Sequence, residues 1–285
     1  MKLSRTGLGL LAVIALISTS GCSYINRIRA KNELNQVAQN YKDKKFAEAE
    51  QHARKAVELD PDNENAPLFL ARTIHAQFRK GDTTPENLAK AKDAIEAYQK
   101  IAARDPNNDE AFSAVTILLG QLHPDEANKC DFDNSGEQVK WVEQRANNEA
   151  VSTEKRSDAF AILSDKDWQC SINVTDANKQ SVQKPDGSVF IQYTKPKDTK
   201  LYDDAVKFMT RGLERAEKAI SINPNSEKAW GQKYKLLQEA KKLALMADDK
   251  DKAAQYAKQA EEAANKSGEL RRQATPTPSA TPPST

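Results

Sequence analysis

An amphipathic helix pattern, ended by the same short turn at three places, limits what this chain can fold into. Lys44 to Asn63, KKFAEAEQHARKAVELDPDN, carries small residues at Ala49, Ala53 and Ala56, with Phe46 before them and Val57 and Leu59 behind. That is helical spacing with a small-residue face, which lets a neighbouring helix come close. The closing signal, Asp60-Pro61, returns as Asp105-Pro106-Asn107 and as Asn223-Pro224-Asn225. A repeated helix closed by a repeated proline marks an array of stacked units. Such a pattern speaks to architecture and is silent about the molecule held.

Composition agrees. Of 285 residues, 29% are charged and 38% hydrophobic, which suits a helix-rich chain long enough for a continuous core. The net charge of +2 is nearly balanced, so nucleic acid is not an expected partner. Charges alternate in sign along the helices, as in KNELNQVAQNYKDKK, and read as solvated faces.

The pattern resembles the tetratricopeptide repeat (TPR), a helix-turn-helix unit. With each proline set on the family's closing proline, Ala49 and Ala56 take the small positions of the first copy. Leu70, Ala71 and Ile74, then Ala94 and Tyr98, fit the second. Its prolines are 45 residues apart (106 − 61), so an insertion widens the turn around Gly81 to Glu86. Phe112, Val115 and Leu119 fit a third copy, and Trp230 and Leu237 the last. The resemblance implies an all-α, right-handed helical solenoid of about five helix pairs. The family is a binding scaffold with many unrelated partners, so function follows only weakly.

Met1 to Cys22 reads as an export signal. Lys2 and Arg5 form a positive start, and Gly7 to Ile17 is an apolar run too short to span a bilayer as a permanent helix. The end of this segment resembles a bacterial lipobox, with Ser20 and Gly21 before Cys22. The resemblance implies lipidation of Cys22, removal of residues 1–21 and firm membrane anchoring. Ser23 is not the aspartate that retains such proteins at the inner membrane. The implied address is the cell envelope, at the periplasmic face of the outer membrane.

Residues 22–270 are expected to form the repeat domain. Thr84 is the expected N-cap of a helix starting at Pro85. Asp109 to Leu122 and Glu137 to Asn147 read as the third pair, and Thr153 to Asp165 as the first helix of the fourth. WQCSINVT (Trp168 to Thr175) then alternates polar and apolar residues. Pro185-Asp186-Gly187 signals a turn, and SVFIQYT (Ser188 to Thr194) alternates again. A β-hairpin insertion is therefore expected over about residues 168–196. Helix resumes at Tyr202 and continues into a last pair. Residues 271–285, rich in Pro and Thr, read as a disordered tail.

If Cys22 is lipidated, Cys130 and Cys170 remain, and two cysteines in an exported protein point to a disulfide. In the repeat register both lie between the helices of neighbouring units, on one edge of the array. Two free thiols are the alternative.

Recognisable chemistry is scarce. Asp131-Phe132-Asp133-Asn134-Ser135-Gly136 looks like the start of a calcium loop, but Val142 stands where a bidentate Glu is needed. An Asn/Asp turn is the better reading. His52, His75 and His123 lack metal-ligand spacing, and no phosphate loop or activated nucleophile is visible. No enzyme activity, metal or cofactor is expected. The register instead lines a concave groove with Lys31, Leu34, Tyr41, Lys42, Leu68, Arg72, His75, Ile117, Gln121, Lys235, Gln238 and Glu239. Mixed polar and apolar groups suit an extended peptide or a partner helix. The reading is a membrane-anchored adaptor holding a protein. The alternative, a binder of an extracellular polymer such as a glycan, needs Trp168, Phe190 and Tyr193 pointing outward from the insertion.

Overall fold

The computed structural model describes residues 5–125, 129–132 and 136–274, with side chains from Ser23 onward. The chain divides into two compact units, 1–124 and 125–285, and the division falls inside the third predicted pair.

The first unit holds α1 (Arg5–Lys42), α2 (Phe46–Leu59), α3 (Ala66–His75), α4 (Pro85–Arg104) and α5 (Asp109–Leu122). Each helix packs against the next in sequence. Alanines make that closeness available: Ala49, Ala53 and Ala56 of α2, Ala66 and Ala71 of α3, and Ala91 and Ala94 of α4 are fully buried. Val37 of α1 completes a cluster with Ala49 and Ala53, covered by Leu34, Phe69 and Leu70. The widened turn lies between α3 and α4, and Thr84 stands at the N-cap position before Pro85, without a side-chain capping bond.

The second unit holds α6 (Glu137–Asn147), α7 (Thr153–Ala177), β1 (Lys179–Gln183), β2 (Val189–Tyr193), α8 (Thr199–Ile222), α9 (Glu227–Met246) and α10 (Lys250–Ala274). Its main packing runs α7 on α8, α8 on α9 and α9 on α10. Leu236, Leu237 and Leu243 of α9 are buried between those neighbours.

The three proline turns are copies of one structure. After α2, α4 and α8, the N–H of Asp60, Asp105 and Asn223 donates to the carbonyl four residues back, at 3.0, 2.9 and 2.9 Å. Each of these residues then accepts from the N–H three residues on, of Asn63, Asn108 and Ser226, all at 3.0 Å. The next helix is capped at once: Asn63 accepts from Ala66 N–H, Asn108 from Ala111 N–H and Ser226 from Ala229 N–H, at 2.9, 2.9 and 3.2 Å. Proline follows the residue that ends the helix, where no further helical N–H is required. This repeated stop-and-restart makes the chain an all-α, TPR-like set of helix pairs, with one small β insertion.

The insertion is shorter than the sequence predicts. Trp168 to Thr175 is not a strand; it continues α7 without a break to Ala177. The alternation misleads because one stripe of the buried surface of α7 is built of small polar residues, beside the apolar Ala159, Phe160, Ala161, Leu163 and Cys170. Ser157, Ser164, Asp167, Ser171 and Thr175 recur at helical spacing and are fully buried. Their partners lie across the helix interface. Ser157 and Ser164 donate to the carbonyls of Ala219 and Gly212, both at 2.9 Å, and Ser171 to Glu239 at 3.2 Å. A Cβ added at Gly212 would meet Leu236 at 2.8 Å and Asp167 at 3.0 Å, so α7, α8 and α9 meet at van der Waals distance there. The hairpin proper pairs Lys179 with Tyr193 through Gln183 with Val189, antiparallel. Its turn ends at Gly187, whose φ of 83° an L side chain rarely adopts. Residues 271–274 are likewise helix rather than tail. Leu270 is buried, and Arg271 pairs with Glu227 at 2.5 Å, which holds the end of α10 on α9. Residues 275–285 lie outside the described residues.

Candidate functional site

The first unit contains a cavity of about 670 Å³ lined by α1, α3, the α3–α4 turn, α4 and α5. Of the residues the register placed on the groove, Tyr41, Arg72, His75, Ile117 and Gln121 meet there, joined by Tyr98 and Glu110. Arg72 donates to both carboxylate oxygens of Glu110 at 2.5 Å, a bidentate pair that fixes the guanidinium across the cavity. This bond holds Arg72 above its ordinary pKa. The guanidinium also lies 5.7 Å from the Phe69 ring. The His75 and Tyr98 rings meet edge to face at 5.9 Å. Burial pushes the Tyr98 phenol well above its usual range and the His75 imidazole below its own. The cavity thus offers aromatic and aliphatic walls, the polar Ser113 and Gln121, one carboxylate and two cations, Lys80 and the fixed Arg72. That is chemistry for holding a ligand.

The His75 shift has a measurable consequence. The folded state resists protonating this ring, so below the ordinary histidine pKa of about 6.5 the unfolded chain takes the proton first. Stability from this residue is complete above that pH and declines as pH falls through it towards the lower folded value. The stability difference between wild type and His75→Gln in urea unfolding is expected to be flat above about pH 6.5 and to narrow below it. Identical pH slopes for the two proteins would contradict the assignment.

Other predicted groove residues are elsewhere. Lys31 and Lys42 are exposed and Leu68 half-buried, and none of them lines this cavity. Lys235 belongs to a cavity of about 460 Å³ in the second unit, where it pairs with Asp165 at 3.1 Å. Gln238 is half-buried. Glu239 does not line a groove. It is fully buried, with Lys242 at 3.1 Å and Ser171 as partners. The register put it inward on α9; the long α7 covers that position.

Three features escaped the sequence reading. One is a second cavity of the first unit, about 380 Å³, floored by Val57, Leu70, Ile74 and Ile101 and rimmed by Arg54, Asp93, Glu96, Lys100 and Arg104. Another is Tyr98, placed only as a core residue. The third is a charged node in the second unit. Asp167, fully buried, accepts from Arg211 at 2.6 Å and from Arg215 at 2.8 Å. Arg215 reaches on to Glu143 at 2.7 Å. The Phe132 ring lies 4.0 Å from the Arg211 guanidinium, and its carbonyl accepts from Arg211 at 3.0 Å. Beside the node Cys130 is bonded to Cys170, with Cα atoms 5.4 Å apart.

Among the described residues no group of three His, Cys, Asp or Glu is placed to hold a metal ion. The calcium-loop-like turn falls partly on 133–135, outside the described residues. Trp168 and Tyr193 pack on the helices of the second unit, under Lys235 and Lys242 at 4.7 and 5.5 Å. Both are half-buried, and of the three aromatics named for the polymer-binding alternative only Phe190 is exposed. The exposed apolar residues of the hairpin are Val189, Phe190 and Ile191.

The fold and the cavity therefore define a helical-repeat protein of TPR-like type with a ligand-sized recess in its first unit. No family model and no curated protein matches the sequence. Among solved structures it is similar to "Crystal structure of MamA protein", at 16% identity over 88% of this chain and 98% of that one, TM-score 0.39. It is also similar to "Functional Characterization of Pseudomonas Aeruginosa pilF", at 15% identity over 87% and 99%, TM-score 0.35. A third is "MamA 41-end from Desulfovibrio magneticus RS-1", at 14% identity over 87% and 98%, TM-score 0.32. The fold assignment rests on the repeated turns and helix pairs described above.

Proposed function

We propose that this chain is a non-enzymatic scaffold of the bacterial cell envelope, lipid-anchored through Cys22 at the periplasmic face of the outer membrane. It holds a protein partner, as an extended peptide or a helix, in the cavity of its first unit. The observation that carries the reading is the fixed Arg72–Glu110 pair set among Tyr41, His75, Tyr98 and Ile117. A charge pair on a mixed wall rich in aromatic and aliphatic groups orients a ligand while the wall supplies contact area. The lipobox-like Ser20-Gly21-Cys22 supports the address.

Crosslinking in intact envelopes tests both parts. Arg72→Glu places two acids side by side and is expected to weaken the main crosslinked partner at least about tenfold. The fold should survive, because both side chains are well exposed and such pairs contribute only about 0–1 kcal/mol. Lys235→Glu, in the second unit, should leave the crosslink intact. The same partners at the same yield in the Arg72→Glu strain would remove this cavity as the site. Cys22→Ser is expected to abolish incorporation of labelled fatty acid; retained label would overturn the anchor.

A further inference from the structure

The first turns of α1 that follow Cys22 carry an apolar face turned to solvent. Tyr24, Ile25 and Ile28 are 68, 49 and 47% exposed, although the same helix buries Ala30 and Val37 against its unit. At about 100° per residue the three fall within one sector of roughly 100°, away from the Ala30–Val37 side. Arg27 and Arg29 fall on the two flanks of that sector, and Lys31 follows at its edge. Ser23 to Asn32 contains these three cations and no acid. Glu33, the next acid, faces α2, where it bonds His52 and Lys55, both at 2.6 Å.

An apolar sector edged by arginines on both sides has the chemistry of a lipid–water interface. Ile and Tyr enter the acyl boundary while the long basic side chains reach outward to phosphate. A protein groove would give the cations no shared reason to flank the stripe; an anionic surface gives all three the same one.

We propose that the Tyr24–Ile25–Ile28 face of α1 lies flat on an anionic phospholipid surface, with Arg27, Arg29 and Lys31 at the headgroups. The first unit is thereby oriented against the membrane rather than merely tethered to it. The inference rests on the membrane address proposed above, but not on acylation of Cys22.

The test uses the full chain carrying Cys22→Ser, with Cys130 and Cys170 left bonded and a nitroxide placed at Ile28→Cys or at Asn26→Cys. Asn26 lies on the other side of α1 and nearer the apolar run. In vesicles of mixed phosphatidylglycerol and phosphatidylcholine, the label at 28 is expected to relax more with oxygen than with a water-soluble nickel chelate. The label at 26 should remain accessible to the chelate. Reversing Arg27, Arg29 and Lys31 to Glu should return position 28 to water while the chain still sediments with the vesicles. Equal immersion at 26 and 28 would mean an upright helix and overturn the proposal. An aqueous label at 28 on sedimented vesicles would overturn it too, assign the stripe to a protein partner, and leave the membrane address standing.

Discussion

Asp167→Ala is expected to destabilise the second unit by roughly 3–5 kcal/mol, the cost of stranding buried charge after one partner is removed. Asp167 is fully buried and receives Arg211 through both carboxylate oxygens and Arg215 through one. Those arginine side chains are themselves only 22 and 14% exposed, so water replaces little of what the carboxylate gives. Asp167 also sits where α7 meets Gly212 of α8, so truncation opens space at the tightest point of the unit. Urea unfolding of the full chain, followed by near-ultraviolet signals from Trp168 and Trp230, reads the loss. A shift of under about 1 kcal/mol would mean that the node is a solvated surface pair after all. Replacing Asp167 and both arginines together by apolar residues of similar volume should recover much of the loss, because the buried-charge penalty goes with them.

Opening the Cys130–Cys170 bond is expected to be nearly as costly. It closes a separation of 40 residues, for which loop-closure entropy gives about 4 kcal/mol as an upper figure. Cys170 is buried on α7, whereas Cys130 lies in the exposed segment before α6. The bond therefore fastens an irregular segment to a helix. Phe132, two residues beyond Cys130, packs on both Arg211 and Phe208. Cys130→Ser should lower the urea midpoint, and reductant should do the same to wild type and nothing further to the variant. An unchanged wild-type midpoint in reductant would show that the bond does not constrain folding. Because Phe132 links the bond to the node, Cys130→Ser and Asp167→Ala should not add. Together they are expected to cost less than the sum of the two by about 0.5 kcal/mol or more.

The candidate site was legible in part. Arg72, His75 and Gln121 could be set on one surface because α1, α3, α4 and α5 are regular and their phase is fixed by buried alanines. Glu110 could not be paired with Arg72 from the sequence, since the two are 38 residues apart and the distance between their helices decides the bond. In the second unit the same phase argument failed at Glu239. Its exposure depends on how far α7 extends, and that is a tertiary matter. The stripe of Tyr24, Ile25 and Ile28 was in plain view as letters, but only the packing of α1 on α2 shows which side of the helix is left to solvent.

The sequence by itself determined the repeated unit. Asp-Pro and Asn-Pro stops, side-chain caps three residues later and alanines at helical spacing are local signals, each acting within one or two turns of chain. They fixed the helices, the widened turn before Pro85 and the turn at Gly187. It also left two cysteines to pair. Tertiary structure alone decided whether Trp168 to Thr175 is strand or helix. Its pattern of small polar residues serves either state, and the helix wins because Ser164, Asp167 and Ser171 find donors and acceptors on α8 and α9 that no two-stranded ribbon could offer. Local propensity cannot report a hydrogen bond whose partner lies 48 or 68 residues away.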